Sequence, residues 1–263
     1  MERDSLSIPQ SSPALSRWFS RYLRWYFGKH FDAVRVSKAG AAPVVDGPLL
    51  VYANHPSWWD PILFGLLTTK LFPTRRAYGP MDATALEKYP FFKRLGVFGV
   101  ERGTHRGAAR FLQASEAILS RDDAILWLTA EGSFSDPRRR PVTLQTGVSH
   151  LCKRMPRLSV VPLAVEYPFW NERLPEVLLR FGSPVEIPST EILSLDGIHG
   201  RIETALETTM DALSREAQSR NPDRFDTLLL GRAGVGGIYD RWRRWRAVRE
   251  GRDLVLSHGD RRR

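Results

Sequence analysis

Residues 54–61, "NHPSWWDP", place His55 five positions before Asp60 and set Pro56 and Pro61 directly after them. A neutral imidazole can take up a proton near neutral pH. A carboxylate within hydrogen-bond reach fixes its tautomer and stabilises the imidazolium that forms. On a regular helix five positions turn a side chain through about 140°, which would separate the pair. Pro56 and Pro61 oppose a continuous helix, because each biases the residue before it toward extended backbone. The segment therefore reads as a strand-to-helix turn able to fold His55 over the helix start. The plainer reading is a turn histidine followed by an aspartate that caps the helix. With 6 histidines in 263 residues, the spacing alone does not decide between them.

The elements that must hold this segment are legible from periodicity. "PLLVYAN" (48–54) is strand-sized and leads into it. "PILFGLLTTKLF" (61–72) follows as an apolar helix, with Asp60 as N-cap and Pro61 at the first helical position. Upstream, "ALSRWFSRYLRWYFGKHF" (14–31) reads as an amphipathic helix. Leu15, Trp18, Phe19, Tyr22 and Tyr26 share one face, and Arg17, Arg21 and Arg24 lie away from it. A short strand is expected over Val34–Lys38. Downstream, strands are expected over 95–102, 124–129, 159–167 and 176–187, and helices over 106–121 and 198–220. In the last helix Ile198, Ile202, Ala205, Leu206, Met210 or Thr209, Leu213 and Ala217 turn inward. Pro162, inside an apolar run, points to an edge strand or a bulge. This alternation predicts an α/β fold, a single mixed domain whose central, mostly parallel sheet is flanked by helices.

The organisation expected along the chain is a disordered leader over 1–13, the amphipathic membrane-associating helix over 14–31, the main domain over 45–230, and a basic segment over 231–263. In that last segment Tyr239, Trp242 and Trp245 recur among arginines. The net charge is +10 and the pI about 10.1, which suits an anionic partner, either a membrane surface or nucleic acid. Cys152 is the one cysteine, so no intrachain disulfide can form. Residues 1–13 are polar and lack the apolar core of a secretory signal. No run approaches the roughly 20 apolar residues of a membrane span, so membrane contact is expected to be monotopic.

The residues together resemble the glycerolipid and lysophospholipid acyltransferases, the 1-acylglycerol-3-phosphate acyltransferase type, whose first motif is His-x4-Asp. "NHPSWWD" is similar to that motif, including its asparagine. "GVFGVERG" (96–103) resembles the second block, "AEGSFS" (130–135) the third, and "VVPLAV" (160–165) the proline-centred fourth. Four blocks in order carry far more than the pair alone, and the resemblance extends over about 45–230.

The resemblance implies an enzyme. His55 is then the catalytic base and Asp60 its orienter, in direct transfer of a fatty acyl group from acyl-CoA or acyl carrier protein to a hydroxyl of a lysophospholipid or glycerol-phosphate-type acceptor. It implies no resident cofactor and no metal, the thioester being a co-substrate. Arg102 is implied as an anion contact, its plainer role being a surface ion pair with Glu101. Glu131, Gly132 and Ser133 are implied to meet the acceptor. Trp58 and Trp59 cannot share one helical face, so one is expected in the core and the other at the acyl entrance. The implied setting is phospholipid biosynthesis by a peripheral protein at the cytoplasmic face of a membrane, in contact with the lipid surface.

One departure bears on the acceptor. Many phosphatidic-acid-forming relatives carry a basic residue soon after the third-block glycine. Here Ser133, Phe134 and Ser135 follow, and arginines come only at 138–140. A hydroxylated lipid or carotenoid without phosphate is the alternative acceptor.

From other classes, a basic nucleic-acid or membrane-surface binding protein fits the charge. The chain has no zinc-ligand spacing, RNP-type signature or helix-turn-helix pattern, so no nucleic-acid partner is expected. A serine hydrolase would need a Gly-x-Ser-x-Gly elbow, which "AEGSFS" does not provide. Cys152, in the helix-like "SHLCKR", reads as structural rather than as an acyl-enzyme nucleophile.

Overall fold

Two apolar runs rich in Leu, Val and Ile, with no polar residue alternating between them, can only be strands covered on both faces. They are β2 (Leu49–Ala53) and β5 (Ala124–Thr129), which pair in parallel at the centre of the sheet. The computed structural model describes residues 13–187 and 194–231, together with Pro9. Apart from Pro9, Pro13 and Gly231, the expected leader over 1–13 and the basic segment over 231–263 lie outside the described residues.

In chain order the elements are α1 (Pro13–His30), β1 (Ala33–Ser37), β2, α2 (Asp60–Leu71), β3 (Arg76–Asp82), α3 (Ala83–Lys88), β4 (Val97–Val100), α4 (His105–Leu119), β5, α5 (Gly147–Arg154), β6 (Ser159–Glu166), β7 (Val177–Phe181), α6 (Leu195–Gln218) and β8 (Phe225–Leu230). The described strands form one eight-stranded sheet in the order β4-β3-β5-β2-β6-β7-β1-β8. Only β6–β7 and β1–β8 are antiparallel, so the sheet is mostly parallel, as expected.

Alternation along the strands builds two cores. Leu49, Val51 and Ala53 of β2 face a cluster with Leu23 and Phe27 of α1 and Leu63, Leu66 and Leu67 of α2. Leu50 and Tyr52 face the opposite cluster with Leu112 of α4, Leu151 of α5 and Ile202 and Leu206 of α6. Tyr52 can be wholly buried because its hydroxyl donates to the Ile202 carbonyl at 3.0 Å.

Two expectations change, and α1 adds a buried stripe that the periodicity did not single out. In α1 Ser20, Leu23 and Phe27 face inward, while Trp18 and Tyr22 of the aromatic stripe, and Trp25 beside them, are exposed. Leu23 takes the inward place because Gly65 of α2 lets the helices meet closely; a Cβ on Gly65 would lie 3.0 Å from Leu23 Cδ1. Pro162 stands in an interior strand, β6, between β2 and β7. It is tolerated because its carbonyl accepts from Gly182 N at 2.9 Å, just past the end of β7, so its missing donor faces the point where the ladder stops. For the same reason the strand expected over 176–187 covers only 177–181.

Candidate active site

The carboxyl ends of the adjacent strands β5, β2 and β6 open on one edge, the place where parallel α/β sheets present their loops for chemistry. Each strand delivers a side chain there. Asn54 first extends β2 beyond its last residue: its side-chain amide donates to the Val165 carbonyl at 3.0 Å and its oxygen accepts from Val165 N–H at 2.9 Å. That two-pronged bond to β6 fixes the chain one residue before His55.

The backbone then turns rather than coiling. Asp60 N–H donates to the Ser57 carbonyl at 3.2 Å, and the helical ladder starts only with Leu63 N–H to the Trp59 carbonyl at 2.8 Å. This brings His55 Nδ1 to 2.6 Å from Asp60 Oδ2. The same oxygen accepts the Ser57 N–H at 3.1 Å. Asp60 is therefore the first residue of α2 and not its N-cap, a position held by Trp59. Its carboxylate bends back to the turn instead of capping the helix. The helix start still favours its negative charge. Asp60 is fully buried and His55 8 % exposed, so the pair is sheltered but the imidazole is reachable.

The segment after β5 locks the backbone of His55 from the other side. Glu131 Oε2 accepts the His55 N–H at 2.6 Å, and Ser135 N–H donates to the His55 carbonyl at 3.0 Å. Gly132, in the left-handed region at φ +75°, makes the turn between them. A Cβ there would come within 2.9 Å of Gln145 Cγ. Ser133 and Phe134 are exposed at the tip, and the Phe134 ring lies 4.4 Å from the imidazole, centre to centre.

Arg102, just past β4, is exposed and donates to the Gly132 carbonyl at 2.6 Å. Glu101, its alternative partner, stands 3.7 Å from Arg110. Of the arginines at 138–140, Arg138 pairs with Asp136 at 2.6 Å and Arg140 reaches Asp211 on α6 at 2.9 Å.

Trp59 wedges into α1 and its end, with ring centres 5.3 Å from Tyr26, 5.9 Å from Phe27 and 4.9 Å from Phe31. Trp58 stacks on it at 4.4 Å and stays 53 % exposed beside the site. The tryptophans thus divide between an inward and an outward position.

Tyr167, one residue past β6, escaped the sequence reading. Its hydroxyl donates to Asp60 Oδ1 at 2.6 Å. No periodicity announces a partner 107 positions away; only the parallel pairing of β2 and β6 brings it there. Burial, with the Asp60 charge adding to it, pushes this hydroxyl well above the ordinary tyrosine range, so it remains a donor.

Two other nucleophiles are closed off. Burial pushes the Cys152 thiol up to about 12, which leaves almost no thiolate at neutral pH. Ser149 Oγ lies 2.8 Å from His199 Nδ1, and His199 Nε2 lies 3.1 Å from Glu203, but Ser149 is wholly buried between α5 and α6. That array ties two helices together and offers no access to a substrate.

A family model described as Acyltransferase matches residues 33–166. The span runs from β1 to the end of β6 and stops one residue before Tyr167. A comparison with curated proteins finds no match.

Proposed function

We propose that this chain, which belongs to the acyltransferase family, moves a fatty acyl group from acyl-CoA or acyl carrier protein to a hydroxyl of a lysophospholipid or glycerol-phosphate-type acceptor in phospholipid biosynthesis. The observation that carries the mechanism is the 2.6 Å contact between His55 Nδ1 and the buried Asp60 carboxylate. With Nδ1–H donated to Asp60, Nε2 is left as the proton acceptor. As the acceptor oxygen attacks the thioester carbonyl, its proton passes to Nε2. When the tetrahedral intermediate collapses, the carbon–sulfur bond breaks and the imidazolium returns the proton to the leaving thiolate. Glu131 and Ser135 hold the histidine backbone through this cycle, which keeps the base in one place.

The acyl chains concerned reside in membranes, and α1 has the surface to dock on one. Trp18, Tyr22 and Trp25 are exposed beside the exposed Arg21, Arg24 and Lys29, and Trp58 continues the aromatic surface toward His55. Amphipathic rings favour the headgroup zone and basic residues favour anionic lipid. This reading makes the protein peripheral, docked at the cytoplasmic face through α1; no helix of the described residues is long and apolar enough to cross a membrane.

One observation favours the alternative acceptor, a hydroxylated lipid or carotenoid without phosphate. Arg102, Arg138 and Arg140 all have protein partners, and Arg140 is turned to α6. Incubation with labelled palmitoyl-CoA and a panel of lysolipids and hydroxylated lipids, read by mass spectrometry, separates the two. Esterification confined to phosphate-bearing acceptors supports the first reading, confinement to neutral hydroxylated lipids the second, and free fatty acid alone contradicts both.

A further inference from the structure

We propose that Tyr167 is a positioning residue of the His55–Asp60 pair: its hydroxyl holds the second oxygen of Asp60 and thereby sets how strongly the first oxygen grips the imidazole. The proposal rests on the reading of His55 as the base. The Asp60 carboxylate divides its two oxygens cleanly. Oδ2 takes His55 Nδ1 at 2.6 Å and the Ser57 N–H at 3.1 Å. Oδ1 takes the Tyr167 hydroxyl at 2.6 Å. A short hydrogen bond to a charged acceptor draws charge toward the donor. Less charge then remains on Oδ2 to stabilise an imidazolium.

The ring is held as firmly as the hydroxyl. It lies 5.7 Å from Phe31, whose ring meets Trp59 edge-on at 4.9 Å. Trp59 directly precedes Asp60, so the carboxylate is fixed from its own chain neighbour and from the end of β6 by one aromatic cluster.

Other titratable groups face the pair without touching the carboxylate. Glu131, after β5, accepts the His55 backbone N–H. Arg102 lies behind it on the Gly132 carbonyl. His30, in α1, lies 5.6 Å from Trp59, ring centre to ring centre, with the two rings tilted. Among the described residues, His55 and Tyr167 are the side chains bonded to Asp60.

The test is Tyr167→Phe, which keeps the ring and removes the donor, in the full-length, ligand-free chain and in turnover. The downfield proton resonance of the His55–Asp60 hydrogen bond, assigned by its loss in His55→Ala, moves further downfield in Tyr167→Phe. With palmitoyl-CoA and vesicles containing 1-oleoyl lysophosphatidic acid, kcat falls on the order of 10-fold. A carboxylate released at Oδ1 no longer holds the imidazole in the one orientation that aims Nε2 at the acceptor, a loss that outweighs the stronger grip of Oδ2. The acidic limb of the pH–rate profile moves to higher pH. Phe31→Leu, which loosens the ring and spares the hydroxyl, lowers the melting temperature and moves neither signal.

A Tyr167→Phe protein that only melts earlier, with resonance and acidic limb unmoved, overturns the proposal. So does Phe31→Leu shifting them equally, since packing would then be the cause. If His55→Ala keeps its turnover, the base assignment itself fails, whereas the resonance still reports whether Tyr167 governs the contact.

Discussion

Nδ1 of His55 stands 2.6 Å from Oδ2 of Asp60 because the residues between them are not helical. Residues 55–57 lie in no helix, Ser57 closes the turn with its carbonyl, and of the segment only Asp60 belongs to α2. The carboxylate is thereby turned toward the strand that precedes its own helix. The neighbours of this contact come from β5, β6 and α1, so it reports on the whole sheet edge and leads to predictions well away from it.

Trp18→Ala and Trp25→Ala, both on the exposed stripe of α1, are expected to weaken co-sedimentation with anionic vesicles while changing stability by less than about 0.5 kcal/mol. Leu23→Ala, on the buried stripe, should do the reverse in kind and cost about 2–5 kcal/mol in thermal or denaturant unfolding. Unaltered vesicle binding in the double tryptophan variant would remove α1 from the docking surface.

Arg102→Ala frees the Gly132 carbonyl as well as removing a cation. For a phosphate-bearing acceptor the expected result is a higher acceptor KM with acyl-CoA KM unchanged, only partly restored in Arg102→Lys because an ammonium lacks the planar fork. An acceptor KM that stays at the wild-type value leaves Arg102 as a brace for the Gly132 turn and favours an acceptor without phosphate.

Glu166, at the end of β6, gives the fold a pH dependence. Burial raises its carboxyl from 4.5 to about 7, against a smaller opposing pull from Arg140. Between those values the folded chain holds a proton that the unfolded chain has released. Its contribution is therefore complete below the lower value and is lost as pH rises through the window. Glu176, raised mainly by burial beside Arg35, acts in the same direction. Melting temperature measured from about pH 5 to about pH 8 should fall, and Glu166→Gln should flatten that fall. An unchanged slope in the variant would show that Glu166 carries none of it.

Much of this was readable in the sequence where local pattern and burial agree. Strands β2 and β5 are continuous apolar runs, and the inward line of α6 follows the 3.6-residue period through Ile198, Ile202, Leu206 and Leu213. The reading failed where a partner elsewhere in the chain decides. Strand β3 contains Gly79 and Pro80 and has few apolar residues, yet it pairs in parallel with β4 and β5. Strand β8, "FDTLLL", exists as an edge because β1 offers an open ladder beside it. In α1 the periodicity showed the aromatic stripe but not the buried one, because Leu23 goes inward only where Gly65 on α2 makes room for it. The site divides the same way. His55 and Asp60 are close in sequence, whereas Tyr167 joins them only through the register of β2 with β6.

The most direct measurement is transfer of labelled palmitate from palmitoyl-CoA to the accepted hydroxyl lipid by His55→Ala beside the unaltered chain. Melting curves of both proteins would be recorded alongside. A proton-accepting imidazole held by Asp60 requires turnover to drop by about 10²–10⁴-fold with the fold intact. Ester formation at a rate near that of the unaltered chain would contradict it.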